Sequence, residues 1–419
     1  MKEKIREFIH QPEQLEQLYR DDRKAFEKGF EEAFPDLEET GFARFWKVRL
    51  AYDKKPGLIR KIHPADIFVL AGACIFAFIL IRMPDIFTLG LIEDIFYARY
   101  TGIIVFSGLA AYMIRANRMF QTRKLLLVVG LIMIPVFYVT LLPATVELDS
   151  VNLVYFHLPL MMWFAYGVVF TNFEVSDKSR RMDFLRYNGD LAIFMAVLVI
   201  SGGILTAVTI GLFDAIGIRI EEFYMENVAL AGAVSLPVVA TFIIKNYPSL
   251  TNKIAPVIAS VFSPLVLVTA VIYLIALAFS GKSLYNDREF LLLFNVMLIG
   301  VMAVILFSVS GISVSSRHRV TTVILLALSS VTVIIDWIAL SAIFYRLGNY
   351  GITPNRLAVL GSNVLILGNL LWIVWTLAKV NFRRAPVTLV EQSIAGYLPV
   401  YLAWILFVVF GFPLLFGMQ

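Results

Sequence analysis

The sequence is poor in cysteine and in charge, and each shortage excludes something. Cys74 is the single cysteine among 419 residues, so no internal disulfide forms, and no Cys/His set has zinc-site spacing. Inside an apolar run, Cys74 reads as a small buried apolar residue. Charged residues make up 16% of the chain, against about 25% in average soluble proteins. The net charge of +5 is spread over loops, whereas a nucleic-acid partner requires a concentrated basic face. The chain has no phosphate-binding glycine loop, no His-Glu-x-x-His and no Gly-x-Ser-x-Gly, so no catalytic signature, metal site or cofactor is implied. An ATP-driven pump would need a partner ATPase. The first 20 residues are charged throughout, so no cleavable signal peptide is expected and the first apolar segment is expected to act as its own insertion signal.

What the chain does have is eleven long apolar stretches, at 64–81, 96–114, 125–142, 151–171, 191–213, 227–244, 255–280, 290–311, 320–344, 358–380 and 396–416. A bilayer core about 30 Å thick takes roughly 20 apolar residues of helix to cross. These runs do not alternate in the way barrel strands do, and helices satisfy their own backbone hydrogen bonds in lipid. The expected fold is an all-α polytopic membrane helix bundle of about 11 transmembrane helices over residues 64–419. Pro135, Pro159, Pro237, Pro256 and Pro264 lie in or at the ends of spans, where bends are expected. No internal repeat of the inverted-transporter kind is visible.

Loop charges alternate along the chain. One set carries Arg115, Arg118, Arg123 and Lys124, then Lys178, Arg180, Arg181 and Arg186, then Lys245 and Lys253, Arg317 and Arg319, Arg383 and Arg384. The other carries Asp85, Glu93 and Asp94, then Glu147 and Asp149, then Asp214, Glu221, Glu222 and Glu226. The positive-inside rule puts the first set in the cytoplasm. The run Lys54, Lys55, Arg60 and Lys61 puts the N-terminus there too, and eleven crossings put the C-terminus outside. The rule weakens at 282–288 and 346–356, which carry two cations each.

Residues 1–63 differ in character, with 14 Lys/Arg and 13 Asp/Glu. They read as a cytoplasmic region of short amphipathic helices. Leu15, Leu18 and Tyr19 make one stripe, Phe26, Phe30 and Phe34 a second, ended by Pro35, and Phe42, Phe45, Trp46 and Arg49 begin a third. Such a region either packs at the membrane as a collar or docks a cytoplasmic protein partner.

Ionisable groups at bilayer depth cost about 2.5–3.5 kcal/mol on insertion scales and are candidates for function. Five polar residues are expected in the outer half of the bundle: Arg99, His157, Asn295, Asp336 and Asn363. Ser329, Thr332 and Asp336 share one helical face, and Gly202, Thr206 and Thr209 another. The inference is an outward-facing polar cavity. Asp336 reads either as a carrier of a proton or cation or as the ion partner of Arg99. His157 reads either as a group titrating near neutrality or as a partner for a carbonyl freed by Pro159, and the asparagines as interhelical hydrogen-bond formers. Two outer loops supply candidate ligand contacts. One holds Asp287 and Arg288, the other Tyr350 and Arg356, with Thr353 and Pro354 suited to cap and start a helix. Arg356 either holds a phosphate or carboxylate or pairs with Asp287. On the cytoplasmic side, Asn188-Gly189 reads as a turn leading to Asp190 at a helix start.

The segments Tyr350-Gly-Ile-Thr-Pro-Asn-Arg356, Tyr285-Asn-Asp-Arg-Glu289, Tyr187-Asn-Gly-Asp190 and His157-Leu-Pro159 together resemble a bacterial family of polytopic membrane proteins. It is catalogued as domain of unknown function four-one-five-three, and the likeness is greatest to its Bacteroidota members. The resemblance runs over nearly the whole chain, including Pro12-Glu-Gln-Leu-Glu16. It implies residence in the bacterial inner membrane and carries no catalytic residues. The expected function is a transporter, permease or lipid-handling protein, with membrane lipids as partners and the substrate open. The alternatives are a sensor or assembly scaffold signalling through residues 1–63, and a membrane enzyme acting on a lipid-linked substrate.

Overall fold

The computed structural model describes residues 1–37, 41–54, 64–86, 93–145, 147–215, 219–247, 263–272, 274–275, 279, 288–312 and 318–417. No strand occurs among them. The chain divides into two compact units, Met1–Ile62 and His63–Gln419.

The first unit contains α1 (Lys2–Glu7), α2 (Pro12–Asp21), α3 (Arg23–Ala33) and α4 (Gly41–Lys54). Pro12 starts α2 at a position whose N–H would have no helical partner anyway. Asp22 caps α3 by accepting the Ala25 N–H at 3.0 Å. Leu15, Tyr19, Phe26, Phe30 and Trp46 come together in one core with Ile5, Ala33 and Leu50. The Trp46 ring lies 4.9 Å from Phe26 and 5.4 Å from Tyr19. Arg49 covers Trp46 at 4.6 Å and is held by Glu16 at 2.7 Å, so its stem and plane pack on aromatics while its charge is paired. Phe42 and Phe45 turn away, 43% and 59% exposed. The third sequence stripe is thus split between a buried half and an exposed one.

The second unit is an all-α bundle of membrane-spanning helices. In chain order the helices of this unit are α5 (Pro64–Ile81), α6 (Glu93–Ala116), α7 (Thr122–Leu141), α8 (Asp149–Phe170) and α9 (Lys178–Ala215). Then follow α10 (Glu221–Asn246), α11 (Ser263–Ile272), α12 (Arg288–Ile312), α13 (His318–Tyr350), α14 (Pro354–Arg383) and α15 (Thr388–Leu415). Among the described residues nine helices are long and apolar enough to cross a membrane, and two shorter apolar helices, Ser263–Ile272 and Met297–Val309, fall where the seventh and eighth spans are expected. Residues 255–262, with Pro256, lie outside the described residues.

Pro135, Pro159 and Pro237 sit inside continuous helices. Two expectations are corrected. Asn188 and Gly189 are not a turn, and Asp190 does not start a helix: all three lie within α9, which begins ten residues earlier at Lys178. Helix contacts override the local turn preference here, because a side chain at Gly189 would meet the Phe307 ring at 2.9 Å, and Asn188 accepts the Trp163 indole N–H at 2.8 Å. The expected Gly202/Thr206/Thr209 lining face is also not found. Gly202 and Gly203 are exposed, with open space around them among the described residues.

Lipid tails are as apolar as leucine, so helix association rests on close packing and on hydrogen bonds between helices. The largest shared core gathers Leu185 of α9, Ile305 of α12, Leu325 and Leu328 of α13, Leu370 and Ile373 of α14, and Ile394 of α15. A second core joins Ile103 of α6, Val154, Leu158 and Met162 of α8, and Ile405 and Val409 of α15. Arg186 of α9 and the buried Glu391 of α15 form an ion pair at 2.7 Å. Gly361 of α14 lies directly beneath the Trp404 ring of α15, where any Cβ would overlap the indole.

Gly361→Ala is therefore expected to lower the thermal stability of the purified protein by several degrees, since overpacking a tight contact costs about 1–3 kcal/mol. Equal melting by size-exclusion thermal shift would contradict that packing. A second measurement reads the threading. With Cys74 replaced by serine, single cysteines at Thr145 and Ile352 should react with an impermeant maleimide from one side of the membrane, and cysteines at Ser176 and Arg384 from the other.

Candidate functional site

The α13–α14 hairpin turns over residues 351–353. Gly351 takes a φ of +75°, which a side chain would oppose. Thr353 caps α14 by accepting the Arg356 N–H at 3.4 Å, and Pro354 occupies the first turn. The Arg356 guanidinium folds back, donating through Nη1 to the carbonyls of Tyr350 at 2.6 Å and Gly351 at 2.8 Å, and lies 5.5 Å from the Tyr350 ring. Tyr350 itself is 57% exposed.

Beside this turn is a cavity of about 730 Å³, within the size range of small-molecule sites. Three helix ends frame it: the first turns of α8 with Asp149 and Asn152, the last turns of α13 with Arg346, and the first turn of α14 with Asn355 and Arg356. Asn295 of α12 enters from the side, and Leu153, Phe156, Ile343 and Val359 complete the apolar part of the wall. Arg346 makes no hydrogen bond or ion pair among the described residues. Arg356 uses Nη1 on the turn, and the rest of its donor fork is unbonded there. A helix N-terminus favours anions, yet here the first turn of α14 carries a cation.

The other polar residues singled out by sequence divide among separate places. Asn363 donates to Asn295 Oδ1 at 2.9 Å, tying α14 to α12 behind the cavity wall. His157 Nδ1 lies 2.9 Å from the Leu153 carbonyl, one turn back on its own helix. It is not among the cavity-lining residues. Arg99 is nearly buried and acts as a clamp. Its Nη2 donates to the carbonyls of Leu142 at 2.7 Å and Pro143 at 2.6 Å, and its Nε donates to the Tyr155 hydroxyl at 2.9 Å. Tyr155 also donates to Pro143 O at 3.0 Å. These are the open carbonyls after the C-terminus of α7, where a cation is favoured.

Asp336 stands apart from both. Because α13 continues to Tyr350, Asp336 lies about 14 residues from the hairpin, roughly 21 Å at about 1.5 Å per residue. Arg99, His157 and Asp336 thus make no common hydrogen-bonded site. Asn295 and Arg356 do share the cavity. Asp287 and the Arg288 side chain lie outside the described residues.

Sequence reasoning missed Arg346, Asn152 and Asn355. A signal for Arg346 was present: the stretch 346–356 is one of the two outer loops that weaken the positive-inside pattern, and its two cations are the cavity arginines. Comparison with protein-family models, with curated proteins and with solved structures finds no match for this chain.

The clamp predicts an order of effects. Arg99→Ala removes three hydrogen bonds from a charged donor, each worth about 1.5–3 kcal/mol, and should lower the melting temperature more than Tyr155→Phe does. Equal melting of Arg99→Ala and wild type would contradict the structural role.

Proposed function

We propose that the membrane unit is a transporter, permease or lipid-handling protein whose substrate is an anionic amphiphile, bound in the cavity between α8, α13 and α14. One observation carries this reading. Two arginines, Arg346 and Arg356, face one cavity, and neither forms an ion pair among the described residues. Asp149 is the one acidic residue lining it among the described residues. Unpaired guanidinium groups suit the planar, bidentate recognition of phosphate or carboxylate. The neighbouring Asn152, Asn295 and Asn355 add amide donors, and the apolar wall of Leu153, Phe156, Ile343 and Val359 suits a hydrocarbon portion. Phe156 is 71% exposed on the outside of the bundle, so the cavity wall continues onto a surface that lipid reaches.

In this reading the hairpin end faces outward, the N-terminus is cytoplasmic, and the membrane is the bacterial inner membrane. Membership of the family catalogued as domain of unknown function four-one-five-three, drawn from the segments at 157–159, 187–190, 285–289 and 350–356, is part of the same proposal. A second reading, a sensor or assembly scaffold, draws on the first unit. That unit has its own aromatic core and leaves Phe42, Phe45 and Val48 exposed along α4. A soluble partner recovered by crosslinking through those three positions, and lost on their replacement by serine, would favour it.

The cavity reading is tested by binding of a short-chain phosphatidic acid to the purified full chain by native mass spectrometry. Arg346→Gln is expected to weaken binding roughly 10- to 100-fold, equivalent to about 1.4–2.8 kcal/mol. Asp149→Asn should leave it unchanged or tighter. Equal binding by wild type, Arg346→Gln and Arg356→Gln would overturn the reading.

A further inference from the structure

About halfway along the α13–α14 hairpin lies a second polar group, distinct from the cavity. Asp336 is fully buried, at 0% exposure, and neither carboxyl oxygen has a hydrogen-bond partner among the described residues. Asn369 of α14, 1% exposed, is at the same level: it stands about 15 residues from the start of its helix, as Asp336 stands about 14 from the end of its own. Its amide donates to the Tyr401 hydroxyl of α15 at 3.0 Å, and its Oδ1 has no partner. Tyr401 in turn lies within electrostatic reach of Asp336. Among the described residues no lysine, arginine or histidine pairs with the carboxyl.

Two helices thus hold three unsatisfied oxygens, Asp336 Oδ1 and Oδ2 and Asn369 Oδ1, at one buried level, and a third helix adds the Tyr401 hydroxyl. One turn away on the Asp336 face, Thr332 donates its hydroxyl proton to Leu328 O at 2.7 Å and keeps its lone pairs. The three free oxygens are acceptors, and the Tyr401 hydroxyl, which accepts from Asn369, keeps its own proton as a neutral donor that leaves a carboxylate's charge uncompensated. Burying one ionised carboxylate without a partner costs several kcal/mol, and interhelical amides in membrane proteins normally satisfy each other, as Asn295 and Asn363 do here. Turning the Asn369 amide over would offer the carboxylate one N–H and leave its charge uncompensated. The missing element is a positive charge small enough for a packed interior.

We infer that Asp336, Asn369 and Tyr401 form a binding site for one small hard cation, H⁺ or Na⁺. Both satisfy the same oxygens. A proton turns the carboxyl into a donor toward an acceptor such as Asn369 Oδ1, and Na⁺ takes oxygen ligands directly. The site stands whether or not the cavity binds an anionic amphiphile. If the transport reading holds, the site supplies its coupling ion.

Infrared difference spectroscopy on the purified full chain, with no substrate present, separates the cases. One arm steps the pH between about 4 and 9 without Na⁺; the other adds NaCl at fixed pH against a choline chloride control. The expected result is a protonated-carboxyl C=O band that Asp336→Asn abolishes. Loss of the band with rising pH alone assigns H⁺, and its loss on adding Na⁺ at fixed pH assigns Na⁺. Asn369→Ala should shift the midpoint of the responding arm by roughly tenfold in ion concentration, and this keeps the test decisive if Asp336→Asn fails to fold. A band that responds in neither arm, or a midpoint unmoved by Asn369→Ala, overturns the inference. Because no phosphatidic acid is present, this result is independent of the outcome at Arg346.

Discussion

Within a bilayer a polar group that finds no partner inside the protein finds none at all, and most of this structure follows from that one constraint. Hydroxyls turn back onto their own helices. Ser107 donates to Ile103 O at 2.6 Å, Thr140 to Val136 O at 2.7 Å and Thr241 to Pro237 O at 2.7 Å. Where one helix cannot satisfy a group, two do. Tyr166, Tyr187 and Thr241 form a hydroxyl relay across α8, α9 and α10, with steps of 3.0 Å and 2.6 Å. Arg99 extends the same rule to a charge, which it settles on the carbonyls that α7 leaves open. None of these groups requires a functional explanation, because each is accounted for by its partner.

The exceptions then acquire meaning. Asp336 and Asn369 keep buried oxygens without a hydrogen-bond partner, and Arg346 and Arg356 line a cavity without forming an ion pair among the described residues. Single buried atoms of Ser150, Arg181, Ser329 and Trp404 also lack a partner, but only these two sets join charged groups to amides. One set holds a carboxylate without a cation beside it among the described residues, and the other holds two cations with Asp149 as its acidic member. The transport reading proposed above would use both.

The all-α membrane class was legible in the sequence because hydropathy reports directly on the cost of placing backbone and side chains in lipid. Helix ends were less legible. Hydropathy falls off where a helix enters the headgroup region, so the last turns of α13 and the first of α9 read as loops although both remain helical. As a result Arg346 fell in a presumed loop. The asparagines show a further limit. Helical spacing places Asn295, Asn363 and Asn369 inside the bundle, but it does not reveal that the first two satisfy each other while the third points an oxygen at nothing. Pairing across helices depends on register and rotation, which a single sequence does not encode in any local pattern. The Tyr187-Asn188-Gly189 segment has the same lesson in reverse. Its turn-like composition serves helix packing, with each of the three residues engaged by another helix.

Both incomplete sets reside on one element. The α13–α14 hairpin carries Arg346 and Arg356 near its turn and Asp336 and Asn369 about 21 Å along its arms. Each set also borrows from another helix, the cavity from α8 and α12 and the oxygen layer from Tyr401 of α15. A rigid hairpin that shifts against those neighbours changes both sites in the same movement. A ligand that favours one hairpin position at either site therefore changes the affinity of the other, by linkage, with no wire of contacts between them. Such coupling demands that the hairpin have two packings of similar energy. The structure offers a place for the difference: α14 meets α15 at Gly361, where only the absence of a side chain lets the Trp404 indole sit against the backbone. That indole N–H is buried and has no hydrogen-bond partner among the described residues.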